Sequence, residues 1–151
     1  FLAFSLGTVL GLYSYIWWYD LAAHGISGFL FTMVGLCLYW MVREDKSAPV
    51  GKDALAAAGF AFFFSQFVAG LWEIFEYVGF LLTGHDSQNV AATGVGDTME
   101  DMMICLAGSL IMAAAVWLHL KGKHRSLLLL PAEEFYRANY GAAYPAGEGD
   151  G

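Results

Sequence analysis

Residues Asp53–Thr83, DALAAAGFAFFFSQFVAGLWEIFEYVGFLLT, decide which solvent this chain folds in. The run contains no Lys or Arg, and no charged residue at all between Asp53 and Glu73. A bilayer core about 30 Å thick needs about 20 mostly apolar residues of helix to cross it, so the segment is long enough to span. Glu73 and Glu76 nevertheless stand well inside it. Two more stretches read the same way, Tyr19–Val42 and Asp97–Leu120, and a shorter one runs from Phe1 to about Ser14. The aromatic residues Tyr15–Trp18 that follow it suit a headgroup interface. One helix over residues 1–42 would be about 63 Å long, roughly twice the bilayer core, so a break is expected near Tyr13–Tyr19. A signal peptide is the rival reading of the first stretch, but the basic n-region of such peptides is missing.

Composition agrees with a lipid solvent. Of 151 residues, 58% are hydrophobic and 14% charged, with a mean hydropathy of +0.55, whereas a soluble domain carries about 25% charged residues. The net charge of −7 and the two Cys exclude a nucleic-acid binder and a disulfide scaffold, and the apolar content excludes disorder. The expected fold is all-α: a polytopic four-helix membrane bundle over residues 1–121, with spans at about 1–14, 19–42, 53–83 and 97–120. A short polar C-terminal tail, residues 122–151, follows. Within it Ser126–Tyr136 suits a short interfacial helix, and Ala142–Gly151 reads as a disordered end. Cys37 and Cys105 fall about 25 Å and about 12 Å from the outer helix ends, which argues against a disulfide between them.

The basic residues orient the spans. Arg43, Lys46, Lys52, Lys121, Lys123, Arg125 and Arg137 are all seven, and alternating spans put them on one side, cytoplasmic by the positive-inside rule. The localisation expected is therefore the cytoplasmic (inner) membrane, with the C-terminus inside and the 83–96 loop outside. On the inner side Glu44, Asp45, Asp53, Glu133, Glu134, Glu148 and Asp150 balance those charges. The other seven acids, Asp20, Glu73, Glu76, Asp86, Asp97, Glu100 and Asp101, have no basic partner in their half.

An ionisable side chain within a span costs about 2.5–3.5 kcal/mol on insertion scales and usually faces a bundle interior. Asp20 and His24 stand at i and i+4 on one face of the second span, which Gly28 continues. Glu73 and Glu76 stand at i and i+3 in the third, with Gln66 two turns below Glu73. Asp97 and Asp101 open the fourth, with Gly108 two turns on. Counted along each helix from its outer end, His24 lies about 8 Å deep, Glu76 about 10 Å, Glu73 about 15 Å and Asp101 about 6 Å. Three spans thus bring ionisable groups to one slab. So many carboxylates in a low-dielectric cavity must share protons or enclose a cation. The expected site is a divalent metal bound among Asp20, His24, Glu73, Glu76, Asp97 and Asp101. One imidazole among carboxylates favours Zn, Mn or Fe over Mg or Ca.

Simpler roles compete for some of these residues. Asp97 with Glu100 fits a capping box, Asp20 fits an interfacial cap, and His85 and Asp86 fit a solvated loop. Glu73 and Glu76 have no capping explanation. Ser27, Ser65 and Ser109 lack a base at their depth, and no nucleophile elbow, phosphate loop, zincin helix or dinucleotide fingerprint is present.

The ordered pattern Tyr19-Asp20-x-x-x-His24-x-x-x-Gly28, then Glu73-x-x-Glu76, then Asp97-Thr98-x-x-Asp101 with Gly108 resembles the YjdF-like bacterial inner-membrane proteins and is more distantly similar to the VanZ-like family. The likeness covers about residues 19–118. It implies a multi-span membrane fold and a site at these residues rather than a reaction. Two positions depart from it: Leu21 stands where such families often carry a basic residue, and Gly94 where the YjdF-like proteins tend to carry an Asp.

Three functions fit these expectations. The first is metal-assisted hydrolysis or group transfer on a lipid or envelope precursor. The second is a non-enzymatic accessory subunit of a larger membrane complex or a homo-oligomer. The third is a proton or cation pathway.

Overall fold

The structure is a computed structural model, and it describes Leu10, Ile16 and residues 18–45, 52–123 and 126–141. Apart from Leu10, the expected first span, residues 1–14, lies outside the described residues, as do residues 142–151. Among the described residues all regular structure is helical. The helices are α1 (Tyr19–Val42), α2 (Lys52–Thr83), α3 (Val90–Thr93), α4 (Gly96–Leu120) and α5 (Leu130–Tyr140), with a 3-10 turn at Leu127–Leu129. Three of them, α1, α2 and α4, are long and apolar enough to cross a membrane. Three of the four expected spans therefore stand among the described residues, and the remaining one falls outside them.

Polarity is arranged inside out relative to a soluble protein. Thr32, Ser65, Glu73, Asp101 and Ser109 are buried, while Phe63, Phe67, Leu71, Ile74, Leu110 and Ile111 are exposed. Hydrocarbon solvates the large apolar side chains, so burying them gains little, and the interior goes to small or polar residues that pack and hydrogen-bond. On α2 the inward stripe is Ala54, Ala57, Ala58, Ala61 and Ser65. On α4 it is Asp101, Cys105, Ser109, Met112 and Val116. Successive members are three or four residues apart, which keeps them on one helical face.

Three glycines set how closely the rods approach. A Cβ on Gly28 would strike the backbone carbonyl of Cys105, and one on Gly108 would strike that of Gly25. Gly35 leaves similar room for Ala61, whose Cα and O would lie 2.8 and 2.9 Å from a Cβ there. Cys37 and Cys105 are both free thiols.

The two ends of the bundle differ. At one end Arg43 holds Asp53 at 2.9 Å and Asp45 at 3.3 Å, bringing the end of α1 to the start of α2. At this same basic end α5 folds back: Leu129, Ala132 and Tyr136 join Leu36, Trp40, Val116 and Leu120 in one apolar cluster. Trp40 and Tyr136 meet edge to face, 5.0 Å between ring centroids. Burial holds the Tyr136 phenol above its ordinary pKa. His119 Nε2 lies 3.0 Å from Glu133 Oε1, both side chains buried, and Arg137 lies 3.4 Å from the other carboxylate oxygen. Residues 126–140 are thus part of the packed body. The opposite end carries α1 and α4 N-termini, the α2 C-terminus and the acids.

Candidate functional site

Asp20 and Asp97 owe their places to helix starts. Each lies in the first turn of its helix, where the macrodipole favours a negative charge. Neither is a cap. The N-cap positions are Trp18 and Val95, with no side-chain capping bond at either. The capping box expected for Asp97 and Glu100 fails because α4 begins one residue earlier, at Gly96. Asp86 does cap, accepting the backbone N–H groups of Val90 and Ala91 at 2.9 Å each. This carboxylate, expected to be merely solvated, organises the turn into α3.

The helical register carries Asp20 and His24 to the α1–α4 seam, where Asp101 enters from α4. His24 Nε2 is 3.6 Å from Asp20 Oδ1 and 3.6 Å from Asp101 Oδ2. One ligand atom from each of the three lies within 4.8 Å of the others. Burial is graded: the side chains are 5% exposed at Asp101, 13% at His24 and 33% at Asp20, so the group is closed within and open on the Asp20 side.

Glu73, Glu76 and Asp97 stand outside that trio. Glu73 is 7% exposed and is an electrostatic neighbour of His24 and Asp101. Its Oε2 accepts a 3.1 Å hydrogen bond from Gln88 Nε2, which also donates to the Glu73 backbone carbonyl at 3.0 Å. Its Oε1 is buried with no hydrogen-bond partner. Glu76 accepts from the Trp72 indole and has Glu73, Asp20 and Asp97 as electrostatic neighbours. Asp97 keeps Asp20 and Glu100 nearby. The six residues therefore share one end of the bundle, but only three come to mutual ligand distance.

Sequence reading missed Gln88 and, although it placed Gln66 two turns below Glu73, the hydrogen-bonded layer that Gln66 joins beneath the acids. Gln88 is as buried as Glu73 although it lies in the loop after α2. Deeper in the bundle, Ser65 and Ser109 hydroxyls face each other at 2.9 Å. Gln66 donates to Ser109 Oγ at 2.8 Å. Gly28 O accepts hydroxyl bonds from Thr32 at 2.8 Å and Ser65 at 2.9 Å. The signal available was position: Ser65 and Ser109 lie on the inward stripes of small residues, and Gln66 sits next to Ser65 in an apolar helix. Their role is mutual hydrogen bonding, so the lack of a nearby base is no objection to them. Below this layer the core is Leu36, Met112 and Val116, and the polar column ends.

The chain belongs to the family described as "Predicted membrane protein (DUF2238)", whose pattern matches residues 1–122. The match takes in α1, α2 and α4 with the whole acidic end, and leaves α5 outside. No curated protein and no solved structure matches the chain.

Proposed function

We propose that this membrane-family protein binds a divalent cation at Asp20, His24 and Asp101, with Glu73 beside them. The carrying observation is the spacing around His24. At 3.6 Å its Nε2 is too far from either carboxylate for a hydrogen bond. That separation matches the edge of a tetrahedron built from 2.0–2.2 Å metal bonds, about 3.3–3.6 Å. Two carboxylates and a neutral imidazole favour Zn, Mn or Fe over Mg or Ca. No Lys or Arg occurs between Lys52 and Lys121 or before Arg43, so only a bound ion or protons can offset the acids.

The finer placement follows from charge. We read the basic end as cytoplasmic and the acidic end as the outer face of an inner membrane. The spacing of the acids keeps the YjdF-like resemblance, and more distantly the VanZ-like one, as the finer family assignment. Metal-assisted hydrolysis or group transfer on a lipid or envelope precursor would use the Asp20 side, where the trio is most open. A conduction route is less well supported, because the apolar layer of Leu36, Met112 and Val116 interrupts it.

Elemental analysis and metal titration of the full chain in nanodiscs test the reading. Stoichiometric Zn, Mn or Fe that is lost in Asp101→Asn and His24→Ala is the expected result. Metal content unchanged by both substitutions would overturn it.

A further inference from the structure

Beyond Leu120 the chain leaves α4 and rejoins the core at Leu129. The reversal starts at Gly122, with φ +66°, where the N–H of Gly122 donates to His119 O and that of Lys123 to Leu118 O. These are the closing bonds of a glycine-ended helix. The Ser126 N–H is pinned next, donating to His119 Nδ1 at 3.3 Å. Leu129 then enters the core, while Leu127, Leu128 and Leu130 are 74%, 51% and 38% exposed. The turn thus sends one leucine inward and three outward.

The three stand where the spans stop. Leu129 shares its apolar cluster with Trp40 and Leu120, which lie in the last turns of α1 and α4. The leucines beside it are therefore level with the helix ends, where acyl chains give way to headgroups. Trp117 belongs to the same level: it packs against that cluster, and Lys121 Nζ lies 4.4 Å over its ring. Trp at a span end anchors to this boundary, and its ring face holds the ammonium there.

The charges at this end are unequally engaged. Arg43 holds Asp45 and Asp53, whereas His119 and Arg137 hold Glu133. Lys121 and Lys123 are exposed, and among the described residues neither is ion-paired to a carboxylate. Two ammonium groups beside an outward apolar wedge complement a lipid that carries a negative headgroup above its acyl chains.

We propose that Leu127, Leu128 and Leu130 enter the acyl boundary of the adjoining leaflet, and that Lys121 and Lys123 bind the phosphate of an anionic phospholipid there. The surface lies at the opposite end from the acids, and the inference stands apart from the cation reading. Each lysine close to an anionic surface is worth about fivefold in preference for it.

A reporter in the wedge tests both halves. The full chain carries a bimane on Leu128→Cys in a Cys37→Ala background, Cys105 being buried, in nanodiscs of one copy each, with helicity checked by circular dichroism. Acyl-brominated phosphatidylcholine is expected to quench the bimane. Brominated phosphatidylglycerol, as a minor component among phosphatidylcholine, is expected to quench as though enriched about fivefold for each lysine. Lys121→Gln with Lys123→Gln is expected to abolish that enrichment and leave the quenching by phosphatidylcholine intact. A bimane quenched by neither lipid overturns the proposal, and cross-linking through Leu128→Cys in two-copy nanodiscs would then identify a second copy as the occupant. Equal quenching by the two lipids at equal share, or an enrichment that survives the double lysine change, overturns the headgroup assignment.

Discussion

Gly28 of α1 lies against the backbone carbonyl of Cys105 of α4 so closely that no side chain fits between them. Four residues earlier on α1 is His24, and four residues earlier on α4 is Asp101. The contact therefore sets the distance across which those two side chains meet. With Gly108 against Gly25 on the same seam, the two helices are locked at backbone contact just below the acids.

Gly28→Ala is expected to destabilise the bundle by about 1–3 kcal/mol through overpacking, and to weaken metal binding by moving Asp101 away from His24. Gly59→Ala and Gly70→Ala serve as controls, since nothing lies within 4 Å of a Cβ at either position. Both are expected to be neutral or stabilising by up to about 1 kcal/mol, because Ala favours a helix over Gly. Thermal melts in nanodiscs, read beside the Zn²⁺ titration, separate the two outcomes.

Ser65 and Ser109 hold the α2–α4 seam through hydroxyls 2.9 Å apart. Each Ser→Ala change is expected to cost about 0.6–2 kcal/mol, the range of interhelical hydrogen bonds in membranes. The double substitution is expected to cost less than the sum of the two single ones. Equilibrium unfolding of the four proteins completes the cycle, and strict additivity would count against a shared bond.

Acid is expected to expel the cation. Carboxylates and imidazole bind metal only in their deprotonated forms, so at the proposed Asp20, His24 and Asp101 site protons and metal would compete for the same atoms. Affinity should fall as pH is lowered, by about tenfold per pH unit for each proton displaced. Zn²⁺ titrations between pH 8 and pH 5 measure the slope; a flat profile would place the ion elsewhere.

At the other end, Glu133 ties α5 to α4 through His119 at 3.0 Å, while Arg137, one turn further along α5 itself, lies 3.4 Å from the other carboxylate oxygen. Glu133→Ala leaves His119 facing a buried gap, and loss of one partner of a buried pair costs about 3–5 kcal/mol. Hydrogen exchange over residues 127–140 is expected to accelerate sharply in this variant. The double change His119→Leu with Glu133→Leu is expected to restore part of the protection, since an apolar pair replaces the buried polar one, and the rest is lost with the acceptor of the Ser126 N–H, His119 Nδ1. Metal binding at the distant acidic end should be untouched.

Much of this was legible in one dimension because a bilayer reads helices by length and hydropathy. The spans Tyr19–Val42, Asp53–Thr83 and Asp97–Leu120 were placed within a residue of α1, α2 and α4, since the apolar runs end where charges and glycines begin. The Asp20–His24 pairing was equally readable, being a one-turn relation within a single helix. Helix starts were less so: Val95 rather than Asp97 occupies the α4 N-cap, a difference that hydropathy does not register. Gln88 was invisible, because its partner is fifteen residues away and a loop's path decides the contact.

The sequence by itself determined that this chain crosses a membrane, which stretches do so, and that ionisable groups gather in one layer, because each of these depends on composition and on the 3.6-residue period of single helices. Tertiary structure alone decided that Asp101 rather than Asp97 meets His24, that Glu73 is held by Gln88, and that α5 packs back on the bundle. Those outcomes depend on how each rod is rotated about its axis against its neighbours. That rotation is set by the glycine contacts and the buried serines, where helices touch.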